Sequence, residues 1–216
     1  MVPRPDWPTA APFLPDTTDV DALRAAAAGC RGCPLWEPAT QVVFGRGGPT
    51  ARLMLVGEQP GDVEDQHGLP FVGPAGRLLV TALDEAGVDR SQVYVTNAVK
   101  HFAFTPRGKR RIHRTPDRWE VEACRPWLDA ELASVQPELV VLLGATAAQV
   151  VFGRSFRVTQ QRGVLLDWPV GTGPRALATV HPSAVLRAGD QRDDAYAGLV
   201  SDLRVVAGAV PPDPRP

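Results

Sequence analysis

Four short apolar runs, each broken off at a polar or permissive residue, constrain the fold of this chain more than any other feature. They are Arg52–Val56, Val93–Thr96, Leu139–Leu143 and Ala176–Val180. Each is too short for an ordinary helix and is continuous rather than alternating, the pattern of a strand buried on both faces. Helical segments lie between them. Pro74–Ala86 has proline in its first turn and Gly87 as its stop, Asp117–Val135 is capped by Thr115 or Asp117, and Gly144–Val151 opens directly after a strand. Asp21–Ala28 and Asp193–Ala207 read as a further short helix and the last helix, Gly163–Val170 as a small strand, and Gly57–Gly73 as a long loop. Strands alternating with helices predict an α/β fold, a three-layer α/β/α sandwich around a central four-stranded, mainly parallel sheet.

In such sheets ligands bind outside the carboxyl ends of the strands. Those ends carry Gly57-Glu58-Gln59, Asn97, Gly144 and His181. At 216 residues the expectation is one domain, 18–208, between a proline-rich arm, 1–17, and a tail, 209–216. A formal net charge of -1 means that a nucleic-acid partner would be held by a local patch rather than by bulk charge. No apolar run is long enough to span a bilayer and the first residues lack the apolar core of a secretory signal. The expectation is a cytoplasmic monomer without membrane contact. Three cysteines are too few for a disulfide framework, and two of them, Cys30 and Cys33, stand at metal-ligand spacing.

One connection, Thr96–Cys124, concentrates the chemistry. Asn97 leaves a strand, His101 follows it, and Arg107, Lys109, Arg110, Arg111 and Arg114 place five cations within eight residues around His113. A helix carrying Cys124 comes next. Cys30, Cys33, Cys124 and His101 form a donor set of three thiols and one imidazole, which suits either zinc or an iron–sulfur cluster. A basic run of this kind binds phosphates or is simply a solvated loop, and His101 is a ligand or an ordinary loop histidine.

The segments GEQPGDVEDQHGLPFVGPAG (57–76), TNAVKH (96–101) and HPSAVLR (181–187) resemble the motifs of the uracil-DNA glycosylase superfamily, above all its iron–sulfur group known as family four. The resemblance runs from about Leu23 to Tyr196. Gln59 after Glu58, His101 in place of a cysteine, and a longer basic loop with Lys-Arg-Arg-Ile-His (109–113) resemble a narrower subgroup, the UdgX type. That resemblance implies excision of uracil followed by covalent attachment of the loop histidine to the DNA.

It further implies roles residue by residue. Asn97 would read uracil, whose N3–H and O4 complement a side-chain amide, and Phe71 would stack on the flipped base, although a lone Phe is equally a core residue. His181 would donate to O2 as charge grows on the leaving base. Glu58 would be the catalytic carboxylate, with Gln59, Asp62 and Asp65 shaping the pocket near the sugar. Lys109, Arg110, Arg111 and Arg114 would bind phosphates, and His113, its pKa depressed by the cations around it, would attack C1′. Cys30, Cys33, His101 and Cys124 would hold a structural [4Fe–4S] cluster, with zinc as the alternative. The expected partner is uracil-containing DNA, single strands accepted. The alternatives are a multiple-turnover glycosylase and a cluster-containing DNA-binding module without activity.

Overall fold

The structure, a computed structural model, describes residues 7–211; 1–6 and 212–216, the ends of the expected arm and tail, lie outside the described residues. In chain order the elements are α1 (Val20–Ala27), β1 (Leu53–Gly57), α2 (Asp62–His67), α3 (Pro74–Ala86), β2 (Val93–Asn97), β3 (Phe104–Arg107), β4 (Arg110–His113), α4 (Arg118–Val135), β5 (Leu139–Leu143), α5 (Ala145–Phe152), α6 (Val158–Gln161), β6 (Leu165–Leu166), β7 (Arg175–Thr179), α7 (Pro182–Leu186) and α8 (Arg192–Ala209).

The main sheet has the order β2-β1-β5-β7-β6. β1 pairs in parallel with β2 and β5, and β5 with β7. The sheet therefore has five strands rather than the expected four. The addition is β6, two residues long and antiparallel, with Leu165 opposite Leu177 and Leu166 opposite Ala176.

Alternate side chains of each strand feed opposite cores, as a pleated strand buried on both faces requires. Met54 and Val56 of β1 join Tyr94, Val140 and Leu142 under Leu23 of α1, Trp127 of α4 and Ala148 of α5. Leu53 and Leu55 join Val141 and Leu177 under Leu79 of α3 and Leu203 of α8. Helices on both faces give the three layers. The register sets Gly57 beside Asn97 and Leu143 beside Thr179, so the functional strand ends finish level along one edge.

Two local readings change and one open alternative is settled. The segment 57–73 holds α2, closed by Gly68 in the left-handed region, where a loop was expected. The basic run is a β-hairpin, β3 pairing with β4 across a turn at Gly108-Lys109. Asp117, not Thr115, caps α4, in a capping box with Glu120. The arm includes a 3-10 turn, Ala11–Phe13, and is tied down by Thr9 N–H to the Gly32 carbonyl (3.1 Å) and Ala10 N–H to the Ala123 carbonyl (2.7 Å). Among the described residues no helix is long and apolar enough to cross a membrane.

Candidate active site

At the carboxyl edge of the sheet a cavity of about 180 Å³ is lined by Gln59, Glu64, Phe71, Asn97, His113, His181 and Arg187 among others. It adjoins a wider groove of about 610 Å³ that adds Glu58, Ile112, Thr146 and Val158. Loops from β1, β2, β5 and β7 converge here with the hairpin.

Gly57 packs against two residues that line the cavity, Asn97 and Phe71. A Cβ at this position would fall on Asn97 Oδ1 and come within 2.8 Å of Phe71 Cζ. Asn97 is 2% exposed, and its Oδ1 is buried without a hydrogen-bond partner. Such an orphan acceptor costs about 1–3 kcal/mol unless a ligand supplies a donor. Asn97 is held from behind: Lys100 Nζ donates to its backbone carbonyl (2.7 Å) and to Thr96 Oγ1 (2.7 Å), and pairs with the fully buried Glu131. Tyr94 Oη and Thr96 Oγ1 also donate to Glu131, each at 2.9 Å. Phe71 has φ 56°, a left-handed conformation that a bulky side chain rarely adopts and that the surrounding structure must impose. Its ring lies 6.3 Å from that of His181 at 30°.

His181 has a determined tautomer. The Ser183 backbone N–H donates to its Nδ1 (3.1 Å), and Ser183 Oγ lies 2.7 Å from the same atom. With Nδ1 accepting, the proton of the neutral ring is on Nε2. Burial, with help from Arg187 and His113, pushes its pKa down to about 4, so at neutral pH it is a neutral donor.

Glu58 follows β1 and its two oxygens are differently placed. Thr146 Oγ1 donates to Oε2 (2.5 Å), while Oε1 lies 3.9 Å from His113 Nε2. Gln59 is 7% exposed, and its Oε1 accepts the Ala103 N–H (2.7 Å). That bond orients the amide so that its NH2 meets the Arg114 carbonyl and His113 Nε2, both at 2.8 Å. An amide nitrogen can only donate, so Nε2 of His113 is the acceptor and the ring proton sits on Nδ1. The His113 pKa is lowered mainly by burial and also by Arg187, with Glu58 opposing. The depression expected from the loop cations thus has a different largest cause, and the contributing cation is on another loop.

The hairpin cations divide into two groups. Arg107, Lys109 and Arg110 are exposed at the tip. Arg111 turns inward, pairing with Asp62 (2.6 Å) and Asp65 (2.5 Å), donating to Thr40 Oγ1 (3.0 Å) and lying over Phe104. Arg114 forms a two-pronged pair with Glu120, 2.8 and 2.7 Å. Arg111 and Arg114 are therefore paired with carboxylates of the protein in the free state, while both side chains stay partly exposed. Asp65 is 0% exposed and also accepts the Thr40 N–H, so it braces the hairpin instead of facing the sugar. Asp62 does the same at the surface.

Three contributors escaped the sequence reading. Glu64, held by the Gly73 N–H (2.7 Å), lines the cavity. Its signal was the turn starting at Gly61. Arg187 ends the 181–187 segment, and Thr146 stands two residues past Gly144, so each sat next to a residue already singled out.

Cys30, Cys33 and Cys124 are all free and buried. They lie close enough that each of the other two raises the pKa of Cys124, and Cys30 that of Cys33; burial is the larger cause, taking these thiols to about 12 and about 11. The Lys100 backbone N–H points at Cys124 Sγ (3.3 Å). His101 is buried beside this segment, its pKa lowered by burial to about 4, so it offers a neutral imidazole. Three thiols in a dry setting fit a soft metal group. Among the described residues no three metal-ligating side chains gather round a single ion, as tetrahedral zinc requires.

Residues 44–204 match the Uracil DNA glycosylase superfamily. A Type-4 uracil-DNA glycosylase of Thermotoga maritima is 42% identical over 159 residues, covering 73% of this chain and 78% of its own length. Proteins of the same description from Pyrobaculum aerophilum and Sulfurisphaera tokodaii are 36% and 35% identical, over 78% and 77% of this chain and 85% and 76% of theirs. The level strand ends, the cavity at their edge and these matches coincide within one stretch of sequence, and the chain belongs to the uracil DNA glycosylase superfamily.

Proposed function

We propose that this protein excises uracil from DNA and then retains the abasic strand through a bond from His113 to C1′. The observation that carries excision is the orphan Asn97 Oδ1 in the cavity, which uracil N3–H would satisfy while O4 accepts from the amide nitrogen. Cytosine would set acceptor against acceptor and donor against donor, a mismatch that buried polar groups punish strongly. His181 donates from Nε2 to O2 as the C1′–N1 electrons pass to the base. Glu58 Oε1 faces the sugar and stabilises the positive charge developing at C1′.

Capture rests on the neutral His113 ring at the cavity wall, whose Nε2 lone pair accepts from Gln59 in the free protein. The lone pair leaves the Gln59 N–H and forms the bond to C1′, Nδ1 loses its proton to solvent, and the departed uracil anion gains one. A ring already in place competes with water at high effective concentration. Lys109 and Arg110 at the hairpin tip meet the phosphates.

Cys30, Cys33 and Cys124, with His101 as fourth ligand, would hold a [4Fe–4S] cluster. It would supply no step of the reaction, only a structural tie between the N-terminal segment, the start of the hairpin connection and α4. A denaturing gel after incubation with uracil-containing single-stranded DNA tests the proposal. A protein–DNA species that survives boiling in detergent supports it. Free abasic product without that species points to a turnover enzyme, and neither product to a binding module.

A further inference from the structure

We infer that Thr146 is a positioning residue for the catalytic carboxylate: its hydroxyl fixes Glu58 Oε2 and leaves Oε1 to face the sugar. The inference rests on the excision reading of the same site. Thr146 Oγ1 donates to Oε2 at 2.5 Å, across 88 residues of sequence. The contact depends on the turn from β5 into α5. Gly144 has φ 94°, beyond the easy reach of other residues, and its missing Cβ leaves only 3.1 Å to His181 Cβ. The turn can therefore tuck beneath His181 and bring the second residue of α5 to the end of β1. α5 has no side-chain cap of its own, so its unpaired amides also favour an anion nearby.

The other side of Glu58 shows why such an anchor matters. Its side chain is 22% exposed and borders a groove of about 610 Å³, which leaves room for it to rotate if the Thr146 bond is lost. Val99 N–H holds the Glu58 backbone carbonyl (3.0 Å), which leaves the side-chain torsions unfixed. Oε1 lies 3.9 Å from His113 Nε2, too far for a hydrogen bond. A small rotation would close that gap, set the carboxylate oxygen against the Nε2 lone pair, two acceptors with no proton between them, and remove the carboxylate from the sugar. The Thr146 hydroxyl opposes that rotation.

The test is a double-mutant cycle in single-turnover uracil excision at saturating DNA. Thr146→Val keeps the shape and removes the donor; excision should slow by about 10-fold or more, the usual effect of losing a bond to a charged group. Thr146→Ser should recover to within a few-fold of wild type, and DNA affinity and Tm should not move. In a Glu58→Gln background Thr146→Val should add no further loss. An equal loss in that background, a Ser variant as slow as Val, or a Val variant at the wild-type rate overturns the inference. Absence of excision in the wild-type protein would overturn the functional reading and this inference with it. Wild-type excision with an indifferent Thr146→Val overturns the inference alone.

Discussion

Gln59 donates a hydrogen bond from its side-chain amide to Nε2 of His113 at 2.8 Å. The Ala103 N–H on Gln59 Oε1 opposes turning the amide over, so the neutral ring keeps its Nε2 lone pair on Gln59 and its proton on Nδ1. The residue beside the proposed catalytic carboxylate thus fixes the state of the proposed nucleophile.

Capture should depend on pH in a way set by that ring. The His113 pKa lies below the ordinary imidazole value of 6.5, so the reactive neutral form persists as pH falls through 6.5 and is lost only when pH falls through the lowered value. Single-turnover adduct formation should be flat around neutrality and decline on the acid side, with a midpoint below 6.5. Arg187→Gln removes a charge that lowers the pKa and should move the midpoint up. A midpoint above 7 in the wild type would contradict the assignment.

Asn97→Ala should abolish selective excision, with a fall of about 10² or more from the loss of paired hydrogen bonds to the base. Because Oδ1 has no partner in the free protein, Tm should change by only a few degrees. Near-normal excision in this variant would remove Asn97 as the base reader.

Arg111→Ala leaves the fully buried Asp65 carboxylate without its cation. Breaking such a pair costs about 3–5 kcal/mol when both partners are buried, and about 2–4 kcal/mol is expected here because Arg111 is 22% exposed. Urea unfolding reads that loss. Capture should drop more than excision, since the hairpin carries His113 but not Asn97 or His181. An unchanged denaturation midpoint would show that the pair is not a brace.

Purified protein should carry iron and acid-labile sulfide in about equal amounts, about four of each per chain for the proposed cluster. Cys124→Ser should lose both and lower Tm, because the thiols lie between the arm, α1 and α4. Zinc without sulfide in the wild-type protein would refute the cluster.

Much of the fold was legible because β1, β2, β5 and β7 are buried on both faces and read as unbroken apolar runs. β6 was legible only as part of the longer run Gly163–Val170, since two half-buried residues make no pattern of their own. α2 is an acidic hexamer set among glycine and proline, and the hairpin has Pro106 in one strand and a cationic run in the other. Neither offers the apolar spacing that betrays an element. The site divides in the same way. Glu58, Gln59, Phe71, Asn97, His113 and His181 stand at strand ends or in recognisable segments, and the fold brings them together. The pairing of Arg111 with Asp65 and of Arg114 with Glu120 was not legible, because sequence reports charges but not which charges face each other. Thr146 acts across the sheet, and no local pattern marks it.

The anchoring of the hairpin on both sides of His113 separates encounter from retention. Arg111 and Arg114 are matched by carboxylates inside the protein, while Lys109 and Arg110 stand in solvent. Salt screens the exposed pair and slows the meeting with DNA. It has little hold on the ion pairs beneath, which keep the ring over the cavity. Raising ionic strength should therefore lower the number of encounters without lowering the fraction of encounters that become permanent.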